Sequence, residues 1–510
     1  MNALSSFFPN LNLNPNHNPL HVMGKEIMIR IKITIRSVPL LSAGLIVLLL
    51  AGCAVGPTYK RPAVNSPTTF RNAGSDTNSL GDLPWWQLFQ DPVLKNLIQT
   101  SLTNNYDLRI AAARIEQSRE ILVQTRSAYY PQVGYELGVG GGKNVSGGLP
   151  SPTGKGAGKE YFGALDASWE IDLWGRVRRL SESARAQYFA TEEARRDVTV
   201  SLVSGVAQSY FQILALDDEL VIAKNATNSF AESLRIFDER LRGGVASKLE
   251  TSAAEAALDS AAATIPELRR QIVAQEDSLS VLLGFNPGPI SRDTNAFNQT
   301  TLPDIPPGLP SSLMERRPDV RQAEQLMISA NAQIGVAKAN FYPQLSLSGL
   351  FGRVSPELSM LTGGGANAWE AAAEVVGPIF QGGQLRAQVR EARAVWDETR
   401  LSYQSTILRA FQEVADALTS REELSRERDF QSRAVAAYEE AVKVANQRYR
   451  GGQASYYELL QEQQLLFPAQ NTLAQVHLNQ LLATVQLYKA LGGGWIAPTS
   501  PGQPADSPKN

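Results

Sequence analysis

The residues that could do chemistry in this sequence are few and poorly spaced for it. There is one cysteine, Cys53, and there are three histidines, His17, His21 and His477. One thiolate builds neither a disulfide framework nor a Cys-based zinc or iron–sulfur site, and the scattered histidines do not make a metal centre. The stretch Gly138-Val-Gly-Gly-Gly-Lys143 has the look of a phosphate loop. It fails because Leu137 stands where the leading glycine is needed and Asn144 where a Ser or Thr must reach magnesium. No HExxH or GxSxG is present. With 48 basic against 50 acidic side chains and a net charge of −2, there is no basic field for nucleic-acid phosphates. The sequence predicts no enzyme, no cofactor, no metal and no nucleic-acid partner.

Two kinds of chemistry remain: acylation of a thiol, and fields made by carboxylates. Arg30, Lys32 and Arg36 precede an apolar run from Val38 to Ala51, which is shorter than the about 20 residues of a spanning helix and reads as the core of a secretory signal. The run ends in Leu50-Ala51-Gly52-Cys53. This resembles a bacterial lipobox, in which the cysteine is acylated and becomes the mature N-terminus. Ala54 in the second mature position implies sorting to the outer membrane. Residues 1–27 read as an extension upstream of a start at Met28.

The carboxylates lie in a pattern of period two. In Tyr161–Leu173 the odd positions are Tyr161, Gly163, Leu165, Ala167, Trp169, Ile171 and Leu173, whereas Asp166, Glu170 and Asp172 fall on even ones. The same phase sets Val133, Tyr135, Leu137 and Val139 against Glu136, and Trp369, Ala371, Ala373 and Val375 against Glu370 and Glu374. Leu345, Leu347, Gly349 and Phe351 alternate with Ser346 and Ser348. Four strands of about ten residues, apolar on one face and polar on the other, fit transmembrane β-strands. Four cannot close, and a bilayer tolerates no open sheet edge, so the chain must associate with itself. Two copies would give about eight strands and three would give about twelve.

These strands belong to a chain-long repeat. Asp107-Leu-Arg-Ile-Ala111 is answered by Asp319-Val-Arg-Gln-Ala323, and Tyr130-Pro-Gln132 by Tyr342-Pro-Gln344, at one common offset. Ala184-Arg-Ala186 and Ala392-Arg-Ala394, Arg240-Leu-Arg-Gly-Gly244 and Arg448-Tyr-Arg-Gly-Gly452, and Leu283-Gly284 and Leu491-Gly492 share a second offset, four residues shorter. The length would suit two or three globular domains, but it resolves into two copies of one unit of roughly 200 residues. Each copy predicts a helix (about 91–128; 319–339), two strands, a helix over Arg176–Arg242 or Gln384–Arg450, a Gly-Gly turn and a returning helix (about 247–284; 455–491). The long helices would reach about 100 Å. Val206, Tyr210, Ile213, Leu216, Leu220, Ala223, Ala226, Phe230, Leu234, Phe237 and Leu241 recur at a coiled-coil period near 3.5, which requires partners of similar length. Ser247 and Ser455 are expected N-caps of the returning helices, and Pro266 and Pro468 are expected to kink them.

Taken together, the residues resemble the outer-membrane factors of tripartite efflux and secretion systems: TolC-like in general, and similar to the NodT-like or OprM-like lipoprotein branch. The stretches that carry the resemblance are Cys53-Ala-Val-Gly-Pro-Thr-Tyr59, Trp85-Trp86, Trp169-Glu-Ile-Asp-Leu-Trp-Gly175, Arg317-Pro-Asp-Val-Arg-Gln-Ala-Glu324 and the two Gly-Gly turns. The resemblance implies an α+β membrane protein: a homotrimer with a 12-stranded β-barrel, four strands per chain, and a long periplasmic α-helical barrel. It implies passive conduction of substrates delivered by an inner-membrane pump of the RND type and a periplasmic adaptor. The implied organisation is a leader at 1–52, a lipidated equatorial segment at 53–90, repeats at 91–290 and 319–494, a Pro-rich linker at 291–318 and a disordered tail at 495–510.

Site residues follow from the same resemblance. Arg242, Gly243, Gly244, Arg450, Gly451 and Gly452 would form hairpin tips that dock the adaptor. The apolar constriction position falls on Tyr457 and the acidic ring position on Gln461, where this sequence departs from the pattern; the nearby basic position falls on Gln464. Glu458 matches an acidic gate position, and Glu462 lies one turn away. Glu136, Asp166, Glu170, Asp172, Glu370 and Glu374 would line the barrel lumen. A secretion channel for proteins, or a lipid-anchored coiled-coil scaffold, are the alternatives. Heat-modifiable trimers extracted only by detergent are expected of a channel; release on cleaving the lipid alone would identify a scaffold.

Overall fold

The structure, a computed structural model, describes residues 54–71, 83–143, 145–146, 149–150, 157–293, 297–300, 303, 308, 310–363 and 367–495. Cys53, the leader, Pro306, Pro307, the Gly-rich stretches at 147–148 and 154–156 and the tail from 496 onward lie outside these residues. The described chain divides into two compact units, and each draws on both repeats.

The first unit, Pro131–Ile171 with Tyr342–Ile379, is the strand unit. Its sheet contains β1 (Gln132–Lys143), β4 (Ala157–Ile171), β5 (Gln344–Ser355) and β6 (Asn367–Val376) in the order β1-β4-β5-β6, antiparallel throughout. The hairpin of short strands β2 (Val145–Ser146) and β3 (Leu149–Pro150) lies between β1 and β4 in sequence. Each repeat supplies one hairpin, and the pairing of β4 with β5 joins the two copies.

The second unit is helical. Short α1 (Trp85–Leu88) and α2 (Pro92–Asn104) are followed by α3 (Tyr106–Ser127), α4 (Arg176–Arg242), α5 (Lys248–Leu282), α6 (Leu313–Arg316), α7 (Pro318–Ala339), α8 (Gln384–Arg450) and α9 (Tyr456–Ala490). The repeat shows in the element limits. Both α3 and α7 have 22 residues, both α4 and α8 have 67, and both α5 and α9 have 35. Helix is lost at Asn105, where a single helix over 91–128 was expected: the Asn105 side chain accepts from Leu108 N–H and donates to Leu282 O, ending α2 and starting α3 in one residue. Pro266 and Pro468 lie inside α5 and α9, which run on through them as continuous helices.

The coiled-coil seam of α4 is inward: none of its predicted positions is exposed, and Val206, Tyr210, Ile213 and Ala223 are fully buried. Its middle packs with Trp85, Leu88, Ile98, Val485 and Tyr488 in one core. Two buried phenols hold that core to its covering segments. Tyr210 donates to Asp91 at 2.7 Å, and Tyr488 donates to Leu83 O at 2.6 Å.

The segment after Cys53 is fastened to the start of α4 and to α7. Val55 donates to Trp174 O at 3.0 Å and accepts from Arg179 Nε, and Asn331 donates to Pro57 O. Gly56 has φ 120° and lies so close to Gly335 that a Cβ there would sit 2.5 Å from its Cα. Farther along, Arg61 grips Glu324 with two bonds of 2.6 Å, and Tyr59 donates to the same carboxylate.

His477 is buried on α9 against Phe297, with Nε2 3.2 Å from Thr300 O. Burial first, then the nearby Arg428 guanidinium, push its pKa down to about 4. The unfolded chain therefore binds a proton that the folded chain refuses between about pH 6.5 and about 4. Folded stability is expected to fall as pH drops through that window. Thermal unfolding of His477→Gln should show a shallower acid slope than the parent; equal slopes would clear His477.

Candidate functional site

In the strand unit, the register shows how alternation becomes two chemically different faces. Tyr135 pairs with Leu165, Leu165 with Phe351 and Phe351 with Trp369, so one row across the sheet is wholly apolar. These side chains are exposed, Tyr135 and Trp369 at 77% each. The neighbouring rows belong to the opposite face. There Asp166 pairs with Leu350 and Leu350 with Glu370, while Glu170 pairs with Ser346 and Ser346 with Glu374. Glu136, opposite Ala164, shares this face. The sheet therefore gathers five of the six expected acids on one face.

Asp172 is the sixth, and it does something else. Strand β4 ends at Ile171, and the Asp172 carboxylate turns to the first turn of α4, accepting from Val177 N–H at 3.0 Å and Arg178 N–H at 2.9 Å. Arg178 Nε adds a bond of 3.2 Å. A carboxylate at a helix N-terminus satisfies orphan amides and meets the positive end of the dipole. Asp172 is a cap and not a strand-face acid.

In the helical unit, the two Gly-Gly turns are near copies. Gly244 and Gly452 have φ 74° and 71°, and an added Cβ at either would meet nothing within 4 Å, so glycine is required by conformation alone. Val245 donates to Arg240 O and Gly244 to Leu241 O, and in the second copy Gln453 donates to Arg448 O and Gly452 to Tyr449 O, the paired bonds of a Schellman ending. The tips then pack on each other. Phe237 meets Tyr456 with ring centroids 4.1 Å apart, Tyr449 meets Tyr456 at 5.1 Å, and Arg240 donates to Tyr449 OH at 2.8 Å while lying over its ring. Tyr456 OH is buried with no hydrogen-bond partner among the described residues, and burial pushes its pKa up. Arg242, Gly243, Gly244, Gly451 and Gly452 are exposed, and Arg450 closes α8 beside them.

The returning helices start differently. Ser247 and Glu250 form a complete capping box on α5, and Ser247 holds the Glu250 carboxyl below its usual range. The same positions in the second copy are Ser455 and Glu458. Ser455 caps nothing with its side chain, contrary to expectation: the Glu458 N–H donates to Ser455 O, and the Glu458 carboxylate pairs with Arg448 at 3.2 Å. Tyr457 and Gln461 share the exposed face of α9, while Glu458 and Glu462, one turn apart, are only half exposed. The structure thus separates the expected aromatic and acidic gate residues onto adjacent faces. Arg240, Arg448 and Tyr449 were visible only as markers of the repeat; the replacement of Leu241 by Tyr449 in the second copy was the signal that the tips differ.

A sheet with an exposed apolar band across one face, bordered by Lys159, Arg353 and Asn367, and a duplicated long helical hairpin define a channel-type membrane protein. The outer membrane efflux protein family matches at residues 97–285 and 309–493, one stretch per repeat. The chain is 35% identical over 468 residues to the probable efflux pump outer membrane protein TtgC of Pseudomonas putida, covering 90% of this chain and 96% of that one. It is 32% identical over 458 residues to the cation efflux system protein CusC of Escherichia coli O6:H1, covering 88% and 97%. The open-state outer membrane channel MtrE of Neisseria gonorrhoeae superposes with a TM-score of 0.78 at 30% identity, covering 87% of this chain and 99% of that one. The chain belongs to the outer membrane efflux protein family, and it is an outer-membrane channel of an efflux system, not an enzyme.

The two caps give a direct comparison. Glu250→Ala should raise amide hydrogen exchange in the first turn of α5 several-fold by opening its capping box. Glu458→Ala should leave exchange in the first turn of α9 nearly unchanged, since it loses only a surface ion pair. Equal effects would show that Glu458 caps α9 in solution.

Proposed function

We propose that three copies of the chain close a 12-stranded barrel and that the channel passively conducts what an inner-membrane pump of the RND type and a periplasmic adaptor deliver. One observation carries this reading: in the four-stranded sheet, β1 and β6 each have a single neighbour while one face carries an exposed apolar band. Each edge must find a partner before the sheet enters lipid. About eight strands enclose an interior filled by side chains, whereas about twelve leave a bore, so three copies suit a conduit and two do not.

The remaining assignments follow. The apolar face meets lipid, and Glu136, Asp166, Glu170, Glu370 and Glu374 face the lumen, each repeated by symmetry. Cys53 carries the acyl anchor. The tips at Arg242, Gly243, Gly244, Arg450, Gly451 and Gly452 meet the adaptor, and Tyr457 with Glu458, Gln461 and Glu462 narrows the mouth. Efflux is favoured over protein secretion because the relatives are named for efflux of organic solvents, antibiotics and cations.

Planar-bilayer recordings test the assembly. The reconstituted protein is expected to conduct with a preference for cations, set by the field of the acidic face. Tyr457→Ala or Glu458→Ala should raise conductance or weaken block by divalent cations. An anion preference would refute the lumen assignment, and two unchanged variants would refute the gate.

A further inference from the structure

The duplication lets the start of each long helix be compared with its copy, and the two starts have diverged in charge. Asp172, Arg178, Glu182 and Arg185 around the start of α4 occupy the repeat positions of Phe380, Arg386, Arg390 and Arg393 around the start of α8. In the first copy the charges are answered. Asp172 caps α4 and holds Arg178 at 3.2 Å, Glu182 pairs with Arg179 at 2.7 Å, and Arg185 lies over the Phe189 ring. The second copy has exchanged both acids, one for an aromatic ring and one for a third arginine.

Positions 386, 390 and 393 recur at helical spacing, so the three arginines form one row. All three are exposed, and among the described residues none of them is in an ion pair. Asp397, next in the row, is held by Arg400 at 3.4 Å. Glu391 stands about 100° round the helix from Arg390. Helix α8 has no acid in its first turn and no side-chain cap. Cations near a helix N-terminus oppose the macrodipole, so the row weakens the helix that carries it and finds its reason outside that helix. Arg126 and Lys338, in the last turns of α3 and α7, differ in this respect because the dipole favours them. Phe380, 88% exposed, precedes the row. It comes four residues after the end of β6 at Val376, a reach of about 14 Å at most.

We propose that Phe380 with Arg386, Arg390 and Arg393 forms a phospholipid site: the arginines take the phosphates of anionic phospholipids in the leaflet on the helix side of the outer membrane, and the ring enters the boundary between headgroups and acyl chains. This rests on the channel assembly proposed above, which carries the apolar band of β6 into lipid and so keeps the chain just beyond it at the bilayer surface. A guanidinium fork matches two phosphate oxygens at once. Its long stem lets the charged head reach them while the methylenes cover apolar surface. A basic row with an aromatic beside it is the composition of a membrane-surface segment, and its attraction to anionic lipid fades with salt.

The test uses the full-length protein in detergent with equal amounts of phosphatidylglycerol and phosphatidylcholine, the phospholipid retained being counted by native mass spectrometry. The parent is expected to keep phosphatidylglycerol several-fold over phosphatidylcholine and to lose this preference as salt is raised. Arg386→Gln, Arg390→Gln and Arg393→Gln combined should abolish the preference, and the three lysine substitutions should keep most of it. Arg409→Gln with Arg433→Gln, exposed arginines farther along α8, should leave it unchanged. Phe380→Ser should lower retention of both lipids and leave the preference in place. A parent that conducts in bilayers yet shows no preference, or a triple glutamine variant that keeps it, would overturn the site. If the parent shows no preference and the glutamine variant also separates into single chains, the row is a contact between copies, which overturns the lipid site as well. A parent that forms no pore in bilayers would instead overturn the channel assembly.

Discussion

A strand in hydrocarbon must hydrogen-bond along both sides, and this chain makes strands that do so only in part. Within the sheet, β4 and β5 have neighbours on both sides while β1 and β6 have one each. Leaving a backbone donor or acceptor unpaired in lipid costs several kcal/mol per group, far more than any side-chain contact in the molecule can return. Everything else about the sheet is compatible with being a fragment of a closed wall: its apolar row is exposed, its acids are gathered on the other face, and its edge strands are long and regular. A soluble edge strand would normally be short, bulged or charged.

The helical unit answers a different requirement, that two hairpins from a duplicated sequence remain in step. Because α4 and α8 have equal lengths, as do α5 and α9, the two hairpins end level with each other. The contact of Phe237 in one with Tyr456 in the other depends on that matching. The four-residue change in offset falls between β1 and α4, where a loop absorbs it; inside a helix, each extra residue would advance the tip by about 1.5 Å and turn it by about 100°. Duplication also lets the copies diverge. The capping box of Ser247 and Glu250 was kept in one, and its counterpart Glu458 became a partner for Arg448 in the other.

Much of this architecture was legible because it is periodic. The limits of the two long helices follow from Gly-bounded heptads, and strand faces follow from alternation that the register preserves. Features that depend on a single local competition were not legible. Asp172 continues the alternating pattern of β4, yet helix-terminal amides compete for it and win. Asn105 interrupts a helical pattern with a side chain that serves both ends at once. Arg292 joins Asp217 and Glu276 across distant segments, and nothing in the spacing of those residues announces it. At the tips, glycines and serines were readable as turn chemistry, but the choice of Glu458 between Ser455 and Arg448 is decided by the neighbouring helix.

The fastened segment after Cys53 changes what a lipid on that cysteine can do. Val55 is bonded through both its N–H and its carbonyl, and Gly56 is wedged against α7. Two residues give a reach of about 7 Å at most. The acyl group proposed for Cys53 would have almost no slack, so it would not act as a leash that merely keeps the protein near a bilayer. It would set the depth at which the first turn of α4 rides relative to the membrane surface, as a mooring made fast at both ends.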